Sequence, residues 1–143
     1  MVDRDLVQAK LGELDERITR ARQRCPASPA ALSGDRDALD LVSFNLMLAI
    51  QSCADIASHI IADERWSPAR TLSESFERLH DQGVLTAPTT AGMKAAVVVR
   101  NIVAHGYSRA DPLKIHTAAT AGLHTLEAFG RETSQWLLAR SAG

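Results

Sequence analysis

The sequence is poor in the residues that mark several common classes of protein. Only 4% of its 143 residues are aromatic, which argues against a dedicated surface for stacking single-stranded bases. The formal net charge is -1, so composition alone does not indicate a nucleic-acid-binding protein. The hydrophobic fraction is 45% and the charged fraction 23%, which is typical of a globular protein, and the length fits a single domain over residues 1–143.

Signals for disulfides, secretion and membrane insertion are also missing. Cys25 and Cys53 are the two cysteines, and their separation is not that of a metal-binding pair. We expect no disulfide between them, in keeping with a reducing cytoplasm. The charged first residues lead into no apolar segment of a signal peptide. The longest apolar-rich segment is interrupted by four polar residues: Asn45, Gln51, Asp55 and His59. We therefore predict a cytoplasmic protein that makes no membrane contact.

Apolar residues recur at helical spacing along most of the chain, which predicts an all-α, up-and-down bundle of about five helices. Pro26 and Pro29 end the first helix, and residues 26–34 are predicted to form a loop. Gly83 and Gly106 end the third and fourth helices. No alternating pattern of β-branched residues predicts a strand. The five predicted helices cover residues 3–24, 35–63, 72–81, 89–105 and 112–138.

The most informative segment is residues 100–107, RNIVAHGY, which crowds an arginine, a histidine and a tyrosine at a helix end. Histidine titrates near neutral pH, so His105 can accept a proton from a ribose 2′-hydroxyl group. Arg100 stays charged and can stabilise a pentacoordinate phosphorane. The nearest acidic residue is Asp111, whereas a two-metal nuclease needs several carboxylates. The residues thus predict transesterification without a metal or other cofactor, leaving a 2′,3′-cyclic phosphate and a 5′-hydroxyl group.

Helix geometry sets a condition on this site. Asn101 and His105 are four residues apart and share a helix face, so the Asn101 amide can hold the imidazole in one tautomer. Arg100 and His105 are five residues apart and point in different directions. They can act on one phosphate only if the helix ends or is distorted there, or if a second subunit contributes. Gly106 offers such an end, and Tyr107 follows it.

The pattern R-N-x-x-x-H-x-Y resembles the signature of HepT-type toxins of the HEPN superfamily. The segments at 45–51, 55–61 and 76–79 also look like HepT helices, so the resemblance covers most of the chain. It implies a HEPN-like bundle that cleaves RNA as the toxin of a type II- or VII-like toxin–antitoxin system. It further implies a homodimer that brings two motifs to one cleft. The implied partner is a minimal nucleotidyltransferase (MNT) antitoxin, which can transfer AMP onto Tyr107; that tyrosine alternatively contacts RNA.

A second set of polar residues lies on the second helix. Asn45, Ser52 and His59 recur every seven residues and form one stripe. Asp55 stands one turn before His59 and can pair with it. Two interpretations remain open for Asn45, Asp55 and His59: a surface that supports the motif or lines a dimer cleft, or a polar seam between packed helices.

Other functions compete with the ribonuclease interpretation. Arg100 alone is explained by an ion pair, and His105 alone by contact with the last helix carbonyls. One alternative is a non-catalytic HEPN-like module that binds a nucleotide or supports a nucleotidyltransferase partner. Another is a structural bundle subunit without chemistry. The intact combination of Arg100 and His105 favours the ribonuclease, because neither alternative needs it.

Overall fold

The computed structural model describes residues 2–106 and 111–142, although not the side chains of residues 141 and 142. Within these residues helices are the only regular secondary structure, which confirms the all-α prediction. The helices are α1 (Arg4–Arg24), α2 (Pro29–Ser33), α3 (Arg36–Asp63), α4 (Leu72–Asp81), α5 (Ala87–Gly106), α6 (Pro112–Ala118) and α7 (Ala121–Ala142).

Short polar side chains explain where five of these helices begin. Each side-chain oxygen accepts a hydrogen bond from a backbone N–H in the first helical turn, which otherwise has no partner. Pro29 and Pro112 stand in the first turns of α2 and α6, where proline is tolerated. The five residues are Asp3, Ser28, Asp35, Thr71 and Asp111.

Helix α4 ends just before Gly83, the glycine predicted to terminate it. Gly83 has a φ of 81°, a left-handed conformation that costs glycine little. The backbone N–H of Val84 then donates to the carbonyl of Leu79 at 2.8 Å, and Gly83 donates to that of His80 at 3.0 Å. These two bonds satisfy carbonyl groups that the end of the helix leaves open.

Two predictions about the helices were wrong. The predicted loop at 26–34 contains the short helix α2, and the predicted fifth helix is divided into α6 and α7. At the division, the Thr120 hydroxyl donates to the carbonyls of His116 at 2.7 Å and Thr117 at 3.3 Å. A side chain that bonds the backbone in this way competes with helix continuation. The described ranges therefore contain five longer helices, as predicted, and two short ones.

Helix α3 occupies the centre of the bundle. Its apolar residues join a buried cluster drawn from all seven helices, extending from Val2 to Leu137. By length and composition alone α3 could cross a membrane, but most of the candidate span is buried among the other helices. That burial is typical of the core helix of a bundle. Phe76 and Phe129 meet edge to face in this core, with ring centroids 5.7 Å apart.

Helix α5 carries the motif and is fixed at its other end. The Glu132 carboxylate of α7 accepts hydrogen bonds from the backbone N–H of Thr86 at 2.7 Å and from its hydroxyl at 3.2 Å. It also accepts one from the hydroxyl of Thr89 at 2.5 Å. Thr86 directly precedes α5, so a residue of α7 acts as its cap. Gly92 allows α5 to approach Thr125 of α7 closely.

Candidate active site

Arg100 projects from α5 towards the central helix α3. Its Nη2 atom donates a hydrogen bond to Oε1 of Gln51 at 3.2 Å, and its Nη1 atom donates to Oδ1 of Asn101 at 3.3 Å. The side chain is half-buried. The guanidinium group is therefore held by two neutral acceptors and is not paired with a carboxylate by either of these bonds.

The contacts continue from Gln51 to α1. Nε2 of Gln51 donates to Oδ1 of Asp55 at 3.0 Å, and Nζ of Lys10 lies 3.5 Å from the other carboxylate oxygen of Asp55. Lys10 also bonds Glu13 at 3.3 Å. That hydrogen bond, together with the charges of Glu13 and Asp55, raises the pKa of Lys10 above its usual value, against the opposing effect of burial. A polar connection thus crosses three helices.

His105 lies at the exposed end of α5, apart from Arg100. The helix continues as far as Gly106, so the predicted helix end does not intervene between the two side chains. On a regular helix, five residues separate them by about 140° of rotation and about 7.5 Å along the axis. The Asn101 side chain accepts from Arg100 in the described structure, instead of bonding His105 as expected. Regular helix geometry therefore places Arg100 and His105 on different faces of α5.

Tyr107, the predicted site of modification or RNA contact, lies outside the described residues. Its position in the sequence directly follows the last residue of α5.

The three polar residues proposed to support the site occupy different positions. Asn45 is buried against α1, where it accepts from Arg17 at 3.2 Å and donates to the carbonyl of Leu41 at 2.8 Å. Nε2 of His59 lies 3.0 Å from Oδ2 of Asp63, without the geometry of a hydrogen bond. The anticipated pairing of His59 with Asp55 is replaced by this contact. Asp55 alone among the three is connected to Arg100, through Gln51.

The sequence did not single out Gln51 or Lys10. The spacing of Gln51 and Asp55, four residues apart on one helix, could have indicated their mutual bond. The bond from Gln51 to Arg100 joins residues 49 positions apart, so local spacing holds no signal for it. Among residues 2–106 and 111–142, no group of three or more His, Cys, Asp or Glu side chains could hold a metal ion.

The chemistry available at this end of α5 depends on the charge of Arg100 and the exposure of His105. Arg100 offers a permanent cation with three N–H donors beyond the two bonds already described. His105 is exposed and so can reach a solvent-borne substrate. A fixed cation and an accessible imidazole are suited to phosphodiester cleavage, provided both reach the same phosphate.

A comparison with protein families identifies the class. The model of the family described as "Ribonuclease HepT-like" matches residues 14–133, most of the chain and the whole segment from Gln51 to Tyr107. The chain therefore belongs to the HepT-like ribonuclease family. The resemblance found in the motif is confirmed, and the comparison favours the ribonuclease interpretation over the non-catalytic binding module.

Individual relatives agree with this assignment. The chain is 26% identical over 125 residues to the mRNA nuclease HepT of Shewanella oneidensis, covering 87% of this chain and 91% of that protein. A tri-AMPylated HEPN toxin of Shewanella oneidensis, solved in complex with MNT antitoxin, has the same fold (TM-score 0.85, 23% identity, 93% and 99% coverage). YutE, a cytosolic Bacillus subtilis protein of unknown function, is also similar (TM-score 0.81, 18% identity, 97% and 93% coverage).

Proposed function

We propose that this protein is the toxin of a toxin–antitoxin pair and acts as a metal-independent endoribonuclease. The observation that carries the proposal is the half-buried Arg100, held by Gln51 near the end of a helix that also presents an exposed His105. Membership of a ribonuclease family supports the choice of RNA as substrate.

The proposed reaction follows from the chemistry of these side chains. Neutral His105 accepts the proton of a ribose 2′-hydroxyl group, and the 2′-oxygen attacks the adjacent phosphorus. Arg100 stabilises the negative charge that accumulates on the phosphoryl oxygens. As the new bond from the 2′-oxygen to phosphorus forms, the bond from phosphorus to the 5′-oxygen breaks, and that oxygen takes up a proton. The products carry a 2′,3′-cyclic phosphate and a 5′-hydroxyl end.

We propose that the working unit is a homodimer. Arg100 and His105 of one copy are separated by about 140° around α5, so one copy does not present both to a single phosphate. A second copy placed with its α5 end against the first can supply the missing side chain. The proposed cleft would contain two arginines and two histidines, enough for one histidine to accept a proton while the other donates one.

The proposed partner is an MNT-type nucleotidyltransferase antitoxin that transfers AMP onto Tyr107. An added nucleotidyl phosphate places negative charge two residues from His105, where it competes with the RNA phosphate for Arg100. The related toxin of Shewanella oneidensis, which is AMPylated and bound to MNT antitoxin, supports this proposal by analogy. We also propose that residues 1–143 form one domain, because the buried cluster draws on all seven described helices. The similarity to YutE, a cytosolic protein, supports the further proposal that the protein acts in the cytoplasm.

The test uses purified protein expressed without the antitoxin and shown by mass spectrometry to be unmodified. Wild type, His105→Ala and a control, His124→Ala, are each incubated with end-labelled RNA and EDTA. His124 is an exposed histidine of α7, its side chain 79% accessible, so its removal controls for loss of a surface imidazole. We expect the wild type and the control to cleave equally, leaving cyclic phosphate ends, and His105→Ala to be slower by about 10²-fold or more.

Two results would count against the proposal. Cleavage that stops in EDTA and returns with a divalent cation would contradict the metal-independent mechanism. Failure of unmodified wild type to cleave any of tRNA, mRNA and rRNA would instead favour the binding-module interpretation. Growth arrest on expression, relieved by His105→Ala but not by His124→Ala, would extend the result to the toxin role.

A further inference from the structure

One residue outside the motif contacts the Arg100 guanidinium group from the central helix. Gln51 of α3 accepts from Arg100 on one side of its amide, at 3.2 Å, and donates to Asp55 on the other, at 3.0 Å. Asp55 is in turn 3.5 Å from the ammonium group of Lys10 on α1. Arg100 is thus connected to two other helices, α3 and α1, through a single amide group.

The orientation of that amide is fixed by its neighbours. Turning it by 180° would place the Nε2 donor against the guanidinium donors and the Oε1 acceptor against the Asp55 carboxylate, so both contacts would become repulsive. Asp55 therefore specifies which atom of Gln51 faces Arg100. The charged Lys10 ammonium group lies on the far side of Asp55 from Gln51. It restrains the Asp55 carboxylate and so the orientation of the Gln51 amide.

A glutamine suits this position better than an acidic residue, the usual ion-pair partner of arginine. A carboxylate at position 51 would form an ion pair with Arg100, with the strong bidentate geometry that a phosphate group also uses. It would then compete with the substrate for the same donors. It would also lie against Asp55, a second negative charge. The neutral Gln51 acceptor engages one N–H donor and Asn101 engages a second, so three donors remain for a phosphate.

We propose that Gln51 is a positioning residue for Arg100: it fixes the guanidinium group without neutralising it, and its own amide is oriented by Asp55 and Lys10. This inference rests on the proposed function, because Arg100 is the group assigned to the RNA phosphate.

Two substitutions of Gln51 distinguish a role in positioning Arg100 from a role in packing. Gln51→Met keeps the length and helix propensity of the side chain but removes both hydrogen bonds, and Gln51→Glu keeps the shape and adds a charge. The matched controls are Gln135→Met and Gln135→Glu, at an exposed glutamine of α7. We expect Gln51→Met to lower kcat about tenfold, as for loss of a hydrogen bond to a charged group. We expect Gln51→Glu chiefly to raise KM, because its carboxylate competes with RNA.

A double-substitution cycle tests whether Gln51 acts through Arg100. In an Arg100→Lys background the fork-shaped donor is gone, so Gln51→Met is expected to have little further effect on kcat. An equal reduction of kcat by Gln51→Met in both backgrounds would overturn the proposal, and so would wild-type kcat and KM in both Gln51 variants.

Nuclear magnetic resonance of protein labelled at arginine gives a readout that does not require activity. The guanidinium signals of Arg100 are assigned by their loss in Arg100→Lys. We expect restricted rotation of this group in the wild type and in Gln135→Met, and fast averaging in Gln51→Met. If the wild type cleaves no RNA yet Gln51→Met frees the guanidinium group, the proposed function fails while the positioning contact stands. An unchanged Arg100 signal in Gln51→Met would overturn the inference whatever the activity.

Discussion

Gly92 of α5 lies so close to Thr125 of α7 that no methyl group fits between them. A Cβ atom at position 92 would be 2.6 Å from Cγ2 and 2.7 Å from Oγ1 of Thr125. Thr125 is β-branched, so its side chain has few alternative rotamers on a helix. The small residue therefore sets how closely the motif-bearing helix can approach α7.

We expect Gly92→Ala to lower the free energy of unfolding by about 1–3 kcal/mol, as overpacking does elsewhere. Gly12→Ala is the matched control, because nothing lies within 4 Å of a Cβ there and the residue is inside α1. The control is expected to raise stability by about 0.5–1 kcal/mol. Urea unfolding measures both, and Thr125→Ala should restore part of the loss in Gly92→Ala. Equal effects of the two glycine substitutions would contradict the close contact.

Glu132 is expected to matter for stability because it caps α5 from another helix. Glu132→Ala leaves the backbone N–H of Thr86 without its acceptor and removes two further bonds to Thr86 and Thr89. We expect a loss of about 1–3 kcal/mol in the free energy of unfolding. Glu16→Ala is the control, because that carboxylate makes an exposed contact with Arg20 on its own helix, at 3.4 Å. Its expected effect is below about 0.5 kcal/mol. Comparable losses in the two variants would argue against the cap.

Modification of the toxin can be followed at one residue, because Tyr107 is the only tyrosine in the sequence. We expect wild type incubated with an MNT-type nucleotidyltransferase and ATP to gain the mass of AMP and to lose RNA cleavage. Tyr107→Phe should gain no mass and remain active under the same conditions, because it lacks the acceptor oxygen. Intact-mass measurement and a cleavage assay on the same samples check both expectations. Mass gain by Tyr107→Phe would place the modification on another residue.

The two cysteines are expected to differ sharply in reactivity. Burial raises the pKa of both thiols above the ordinary value of 9.0, and Cys53 is fully buried whereas Cys25 is half-buried. Because the thiolate is the reactive form, we expect iodoacetamide at pH 8 to modify Cys25 slowly and Cys53 only after unfolding. Peptide mapping with and without urea distinguishes the two sites. Rapid labelling of Cys53 in native protein would contradict its burial.

The same shifts predict how stability depends on pH. The folded protein keeps thiol protons that the unfolded chain releases, so this contribution is fully present below pH 9 and is lost as the pH rises above it. We expect the free energy of unfolding to fall less steeply above pH 9 in Cys53→Ala than in wild type. Identical slopes would show that Cys53 does not titrate on unfolding.

Much of the fold could be predicted because its boundaries are set by local chemistry. Asp35 begins α3, and Gly83 follows α4, where the sequence places them. The short helix α2 was missed although Ser28 and Pro29 carry an ordinary start signal. The division between α6 and α7 was not predictable in the same way. It contains no proline or glycine, and it depends on the bonds that Thr120 makes to preceding carbonyls.

The site was predictable only as far as its contacts are local. The motif identifies Arg100 and His105 by their types and spacing. The partner of Arg100 depends on how α5 packs against α3, and residues 49 positions apart share no sequence signal. Spacing also failed at one local contact: it suggested a bond between Asn101 and His105, whereas the observed bond joins Asn101 to its neighbour Arg100.

The anchoring of α5 at its first residues affects how easily a mutation can inactivate such a protein without unfolding it. Glu132 and Gly92 anchor the helix towards its start, and His105 stands exposed at its other end. We therefore expect a single nucleotide change at the codon for His105 to abolish the proposed ribonuclease activity and to leave a folded protein. A lineage that loses its antitoxin has this short mutational route to survival. We expect such inactive variants to keep the helical bundle. Structural similarity among these proteins is therefore a poor guide to which of them are still toxic.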